Sequence, residues 1–286
     1  MPNLLRAILH IVANIGVGFQ NSGVISENRI NAVGEQLETY IKDAFSETLN
    51  STTDAKTKAQ AYSKIFAYQG NQTNPPDLML TNGDAIEIKK IKKIGADLAL
   101  NSSYPKSRLY SNSPMLTQAC RNCEQWSERD LLYVVGVTKS TKISSLFMVY
   151  GDCYAADKEI YERVQRQIKD GVLTIQGIEF VKTKELGKLK KVDPLGITGL
   201  RIRGIWHIQN PVRVFSNYIS LPLYEFSMTI VMRLEKYNSF PLADREAIEK
   251  TPNLSVNDAQ ISDPNNPVKQ LAAKIIQYSD VGVTLP

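Results

Sequence analysis

Residues 74–90 read Asn74-Pro75-Pro76-Asp77-Leu78-Met79-Leu80-Thr81-Asn82-Gly83-Asp84-Ala85-Ile86-Glu87-Ile88-Lys89-Lys90. Two apolar runs flank Asn82-Gly83, the dipeptide of tight turns, so the stretch predicts strand, turn, strand. Side chains alternate along a strand, which puts Glu87 and Lys89 on one face and Ile86 and Ile88 on the other. The isoleucines anchor the strand in a core while a carboxylate and an ammonium stand side by side. With Asp77 on the preceding strand, this is the set that metal-dependent phosphodiester hydrolysis requires. Carboxylates hold a hard divalent cation, and a positive charge stands near the attacking water and the phosphate. Taken alone the pattern is weak, because Pro-Asp pairs and Glu-x-Lys triplets are common in ordinary hairpins with solvated charges.

Register adds a condition. A two-residue loop pairs Thr81 with Asp84 and places Asp77 on the face opposite Glu87. A three-residue loop over residues 82–84 pairs Thr81 with Ala85 and Asp77 with Lys89, and all three functional side chains then share a face. The site therefore requires an odd loop or an equivalent bulge.

The chain has 286 residues, 43% hydrophobic and 22% charged, an ordinary globular composition with material for a substantial core. Nothing in it reads as a linker, so residues 1–286 are taken as one domain, with a core over about 26–182 and additions over about 183–286. Residues 1–18 are apolar in patches but too short for a membrane span and without a cleavage site, which predicts a first helix. Three cysteines, an odd number, argue against a disulfide framework and for a reducing cytoplasm. Cys120-x-x-Cys123 lacks two further ligands at zinc spacing and reads as core thiols.

The net charge is +5, and its distribution matters more than its size. Residues 86–108 hold six basic side chains (Lys89, Lys90, Lys92, Lys93, Lys106, Arg108) against Glu87 and Asp97. Residues 182–203 hold seven (Lys182, Lys184, Lys188, Lys190, Lys191, Arg201, Arg203) against Glu185 and Asp193. Two basic segments on an otherwise slightly acidic chain suggest a polyanion footprint, although lysine runs are usually solvated faces. Between them, Asn101, Ser102, Ser103, Lys106 and Arg108 suit phosphate and base-edge contacts, as does Lys90 beside the Glu-x-Lys triplet. Arg201 and Arg203 alternate with Ile202, so they share one strand face from which guanidinium groups read guanine edges or hold phosphates.

Elsewhere, residues 26–49 predict an amphipathic helix with Ser26 as N-cap, an apolar stripe from Ile30 to Phe45, and Glu38 at its edge. Gly34, one turn from Glu38, is where such a helix would approach a sheet closely. Further helices are expected over residues 115–126, 155–171 and at the C-terminus. Strands are expected over 64–68, 131–138, 146–150, 172–181, 198–208, 212–219 and 224–234.

Several blocks together resemble a known family. They are residues 31–45, 70–77, 82–90 and 98–109, Met148-Val149-Tyr150-Gly151, and Arg201-Ile202-Arg203-Gly204. Their order is similar to the core of the PD-(D/E)xK nucleases, and more specifically to the NgoPII family of type II restriction endonucleases. The resemblance implies an α/β fold with a mixed central sheet flanked by helices and added C-terminal strands and helices. It implies Mg²⁺-dependent cutting of double-stranded DNA at a short palindrome, characteristically GGCC, by a homodimer without a nucleotide cofactor. Asp77 and Glu87 would then hold Mg²⁺ with the backbone carbonyl of Ile88, and Lys89 would orient or activate the attacking water. Glu38 would bind a second metal or its water. Two other classes stay open: a structure-specific repair or junction-resolving nuclease on the same core, and a non-catalytic sequence-specific DNA-binding protein.

Overall fold

A computed structural model describes residues 2–15, 29–49, 51, 54–71, 74–113, 115–139, 142–183, 185–220 and 226–279. In chain order the helices are α1 (Leu4–Ala13), α2 (Arg29–Phe45), α3 (Ala55–Ile65), α4 (Gln118–Asn122), α5 (Lys158–Leu173), α6 (Pro211–Val214), α7 (Leu234–Ser239) and α8 (Leu242–Lys250). The strands of the first half are β1 (Phe66–Asn71), β2 (Asn74–Leu80), β3 (Ala85–Ile91), β4 (Leu98–Ala99), β5 (Arg108–Tyr110), β6 (Glu128–Lys139) and β7 (Lys142–Tyr150). Those of the second half are β8 (Glu179–Phe180), β9 (Gly187–Lys190), β10 (Leu200–Ile202), β11 (His207–Ile208), β12 (Ser227–Arg233), β13 (Leu254–Asp263) and β14 (Asn266–Ser279).

One large mixed sheet runs β1-β2-β3-β6-β7-β12-β14-β13, with β5 paired to β6. β3 lies parallel to β6 and β7 parallel to β12, while the other neighbours are antiparallel. The expected architecture, a mixed α/β sheet flanked by helices, is the one observed. Alternation sorts the central strands between two cores. Leu78, Leu80, Ile86, Leu132 and Val134 face a core shared with Leu4, Ile8, Leu37, Ile41 and Ile248. Met79, Ala85, Tyr133 and Val135 face a second core with Leu98, Leu109, Leu116, Cys120 and Phe215. Asp77, Glu87 and Lys89 have the parity of this second face.

Helix α2 covers the first face; the surroundings of Gly34, where a close approach is expected, lie outside the described residues. On the sheet, a Cβ on Gly136 of β6 would lie 2.6 Å from Leu37 Cδ2, so glycine there makes room for the Leu37 side chain. Ser26 and the side chain of Val33 lie outside the described residues.

Two expectations are overturned and others are cut back. The C-terminal helix is instead the long hairpin β13–β14, whose Leu271, Ala273 and Ile275 alternate into the second core while Ile276 and Tyr278 enter the first. Lys, Gln, Leu and Ala over residues 269–274 favour helix intrinsically, but pairing on both sides, with β12 and β13, overrides that weak preference. Residues 212–219 hold the short helix α6, begun by Asn210, whose side chain accepts from the Val212 N–H, and by Pro211 at the first helical position. Helix α4 spans Gln118–Asn122 alone, and of residues 172–181 only Glu179–Phe180 is strand.

Candidate active site

The turn between β2 and β3 has the required parity. Leu78 pairs with Ile86 and Met79 with Ala85, and the Leu80 N–H donates to the Asp84 carbonyl at 2.9 Å. The loop is therefore residues 81–83, odd in length as required but two positions short of the expected register. Asp77 faces Glu87 instead of Lys89. Asn82 takes a positive φ of 52°, which asparagine tolerates, and its N–H donates to the Glu124 carboxylate at 2.9 Å.

Beyond Leu78 the backbone ladder with β3 gives way to side-chain pairing. The Ile88 N–H donates to Asp77 Oδ2 at 2.5 Å. Gly70 of β1 lies behind Asp77, where a Cβ would collide with the Pro76 carbonyl oxygen and approach the Asp77 Cα to 3.1 Å. Lys89 Nζ donates to Glu87 Oε1 at 2.7 Å. Glu87 Oε2 is buried with no hydrogen-bond partner among the described residues.

The electrostatics follow from this crowding. Burial first, and then the Glu87 charge, push the Asp77 carboxyl up from its ordinary 3.8 to about 7, against the pull of Lys89 and the Ile88 N–H. Burial pulls Lys89 down, but Glu87 and Asp77 outweigh it and hold the ammonium above its ordinary range. An orphaned buried carboxylate oxygen beside a second carboxylate that resists ionising marks missing positive charge. The pair fits Mg²⁺, which is typically bound by one or two carboxylates plus water and substrate oxygens. Glu38 is not part of this pair. Its carboxylate is bound to Lys42 at 2.7 Å, and it acts on Asp77 only as a weak further negative charge. Among the described residues no three His, Cys, Asp or Glu side chains converge as a metal set.

A cleft of about 130 Å³ opens over the acidic pair, lined by Asn74, Asp77, Glu87, Lys89, Asn101, Ser102, Ser103 and Met115. A second cleft of about 430 Å³ adjoins it, sharing Ser102, Ser103 and Met115 and adding Tyr104, Lys106, Lys169, Glu185, Arg203 and Trp206. The join is built by backbone pairing: β11 pairs with β4, Leu100 N–H donates to the Trp206 carbonyl and Trp206 N–H to the Asn101 carbonyl, each at 2.8 Å. Lys89 and Lys106 of the first basic segment and Arg203 of the second thereby line adjoining clefts.

The remaining expected residues separate. Arg203 reaches the second cleft, whereas Arg201 stands outside both; each donates to Glu185, Arg201 at 2.7 and 2.9 Å and Arg203 at 2.5 Å. Arg108 is turned away, ion-paired to Asp130 at 2.7 Å and Glu128 at 3.6 Å. Lys90 has the parity of Ile86 and Ile88 and projects from the opposite face of the sheet. Sequence reading missed Gly70, Tyr133, Trp206 and Glu185, of which all but Gly70 act through neighbours distant in the chain. Trp206, next to the alternating arginines, carried the one visible signal.

The chain was compared with known proteins. The family model described as NgoPII restriction endonuclease matches residues 2–262. The type II restriction enzyme NgoPII of Neisseria gonorrhoeae is 44% identical over 279 residues, covering 96% of this chain and 99% of that protein. No solved structure matches.

Proposed function

The chain belongs to the NgoPII restriction endonuclease family, and from that membership we propose that it is a type II restriction endonuclease with a PD-(D/E)xK centre at Asp77, Glu87 and Lys89. It hydrolyses duplex DNA with Mg²⁺ at a short palindrome, GGCC, as a two-fold homodimer in a prokaryotic cytoplasm, each protomer cutting one strand. No helix among the described residues is long and apolar enough to cross a membrane. The observation that carries this reading is the half-buried Asp77–Glu87 pair with a buried Glu87 oxygen that has no partner among the described residues, in a cleft also lined by Asn101, Ser102 and Ser103.

Asp77 and Glu87 would hold Mg²⁺, with the Ile88 carbonyl as a further oxygen. The ion supplies Lewis-acid stabilisation of phosphate charge and a more acidic bound water. Tying Asp77 to the Ile88 N–H fixes the carboxylate before substrate arrives, so less ordering is left for the reaction. Lys89, held protonated by its acidic neighbours, donates instead of removing a proton. It orients the attacking water and offsets charge on the phosphate. As water adds to phosphorus, one P–O ester bond breaks, the ester oxygen leaves with a proton, and the water's other proton passes to solvent. Arg203 and Arg201 are pre-aligned by Glu185 and exchange that carboxylate for DNA.

The test is a digest of plasmid DNA with Mg²⁺, followed by sequencing of the fragment ends. Discrete fragments ending within GGCC are expected, abolished by Asp77→Ala, Glu87→Ala and Lys89→Ala while DNA binding persists. Arg203→Ala is expected to cost about 1–3 kcal/mol of binding with relaxed specificity. Duplex DNA left intact by the wild type in Mg²⁺ would overturn the assignment.

A further inference from the structure

Lys106 lines the second cleft beside Ser103, and the fold fixes its backbone more firmly than a surface loop requires. The Lys106 N–H donates to the Tyr133 hydroxyl at 2.8 Å, and that hydroxyl donates back to the Lys106 carbonyl at 3.2 Å. Tyr133 lies on β6 directly beside Glu87 in the parallel β3–β6 register. On the other side, a Cβ on Gly151 would fall on the carbonyl oxygens of Lys106 and Ser107, so the loop rests on bare backbone there. The side chain turns inward: Nζ donates to Ser103 Oγ and, at 3.3 Å, to the Tyr104 carbonyl, and lies 5.1 Å from the Tyr104 ring centroid. Ser103 lines both clefts.

No carboxylate forms an ion pair with this ammonium within the described residues, unlike Lys89, which is spent on Glu87. The charges that reach it are Glu87 and Lys89 of β3, and burial with Lys89 draws its pKa down to about 8 against the opposing pull of Glu87. A half-buried cation held by neutral acceptors alone is a ready anion site, because the Ser103 and Tyr104 oxygens are given up cheaply to a phosphate.

We propose that Lys106 is a second catalytic cation of the centre, meeting a non-bridging oxygen of the phosphodiester being cleaved and stabilising the charge that gathers there as water adds. No proton passes to or from Lys106; its part is charge, delivered from a preset position. This rests on the nuclease reading above and assigns a role to a residue outside the Asp77–Glu87–Lys89 set.

The experiment uses full-length protein on DNA that the wild type cuts into discrete fragments, comparing single-turnover cleavage with equilibrium binding of the same DNA in Ca²⁺. Lys106→Met is expected to slow cleavage about 100-fold with binding within about threefold. Lys106→Gln, which keeps a donor for Ser103 without the charge, is expected to match it and stands in if the methionine variant misfolds. Lys106→Arg is expected to recover at least about tenfold of the loss. Cleavage by Lys106→Gln within about threefold of wild type overturns the proposal while leaving the nuclease reading intact. A parallel loss of binding and cleavage also overturns it, making Lys106 a ground-state anchor. A wild type that cuts nothing removes both readings.

Discussion

Asp77 and Ile88 are joined by a hydrogen bond of 2.5 Å from the Ile88 backbone N–H to the Asp77 carboxylate. The link replaces a rung of the β2–β3 ladder with a carboxylate side chain. It holds Asp77 against the peptide between Glu87 and Lys89, so the three groups move as one unit.

Asp77 makes the metal-free protein pH-sensitive. Because the folded state raises its pKa from 3.8 to about 7, its contribution to stability is fullest below about 3.8 and is lost as pH rises through about 7. The melting temperature without metal is expected to fall between pH 5 and 8. Asp77→Asn should lack this fall, keeping only the responses of other groups such as His10, and should be more stable at pH 8 by on the order of 1–3 kcal/mol. Added Mg²⁺ should stabilise the wild type at pH 8 and not the variant. Equal pH profiles for the two proteins would refute the linkage.

Gly70→Ala probes the wall behind the same carboxylate. The added methyl meets the Pro76 carbonyl and the Asp77 backbone, and overpacking of this kind costs about 1–3 kcal/mol. Displacing Asp77 should slow cleavage by a factor of about 10 to 100 at temperatures where the variant is fully folded. Unfolding curves run beside single-turnover rates separate the two effects.

Lys236 anchors the other end of β3. Its ammonium bridges Asp84 at 2.6 Å and Asp130 at 2.8 Å, and Tyr150 donates to the same Asp84 at 2.6 Å. Lys236→Met leaves the buried Asp84 carboxylate without its counter-ion beside a half-buried Asp130 that keeps Arg108, an expected loss of about 3–5 kcal/mol in denaturant unfolding. Adding Asp84→Asn should recover part of it; a double mutant no better than the single one would place the cost elsewhere.

His10 gives a second, opposite pH response. Its Nε2 accepts the Leu49 N–H at 3.1 Å, and burial lowers its pKa despite the charges of Glu47 and Asp43. The neutral ring is the folded form, so its stabilisation is present above about 6.5, the ordinary value, and is lost as pH falls below it. Hydrogen exchange of the Leu49 amide should accelerate at pH 5 relative to pH 7.5, after correction for intrinsic rates.

The hairpin, its odd loop and the shared face of Asp77, Glu87 and Lys89 were legible because strand alternation is a local rule with a period of two. The exact register was not: parity constrains a loop to odd length, but the Leu80–Asp84 closure depends on how Asn82 and Gly83 turn and on Glu124 capping the turn from 42 residues away. Helix α2 was legible from its stripe, while the C-terminal hairpin was misread because residues 269–274 have helical preferences worth only tenths of a kcal/mol each, less than pairing on both edges of β14 supplies.

By itself, then, the sequence determined the strand–turn–strand unit, the alternation that puts a carboxylate and a lysine on one face, and the two basic segments. Tertiary structure alone decided which further cations line the clefts beside the acidic pair. Pairing of β4 with β11 brought Arg203 and Trp206 beside Ser103 and Lys106, while Arg108 was drawn to Asp130 and Lys90 was left on the far face. The reason is physical: period and propensity act over a few residues, whereas the burial and pairing of a charge are set by whichever distant backbone folds against it.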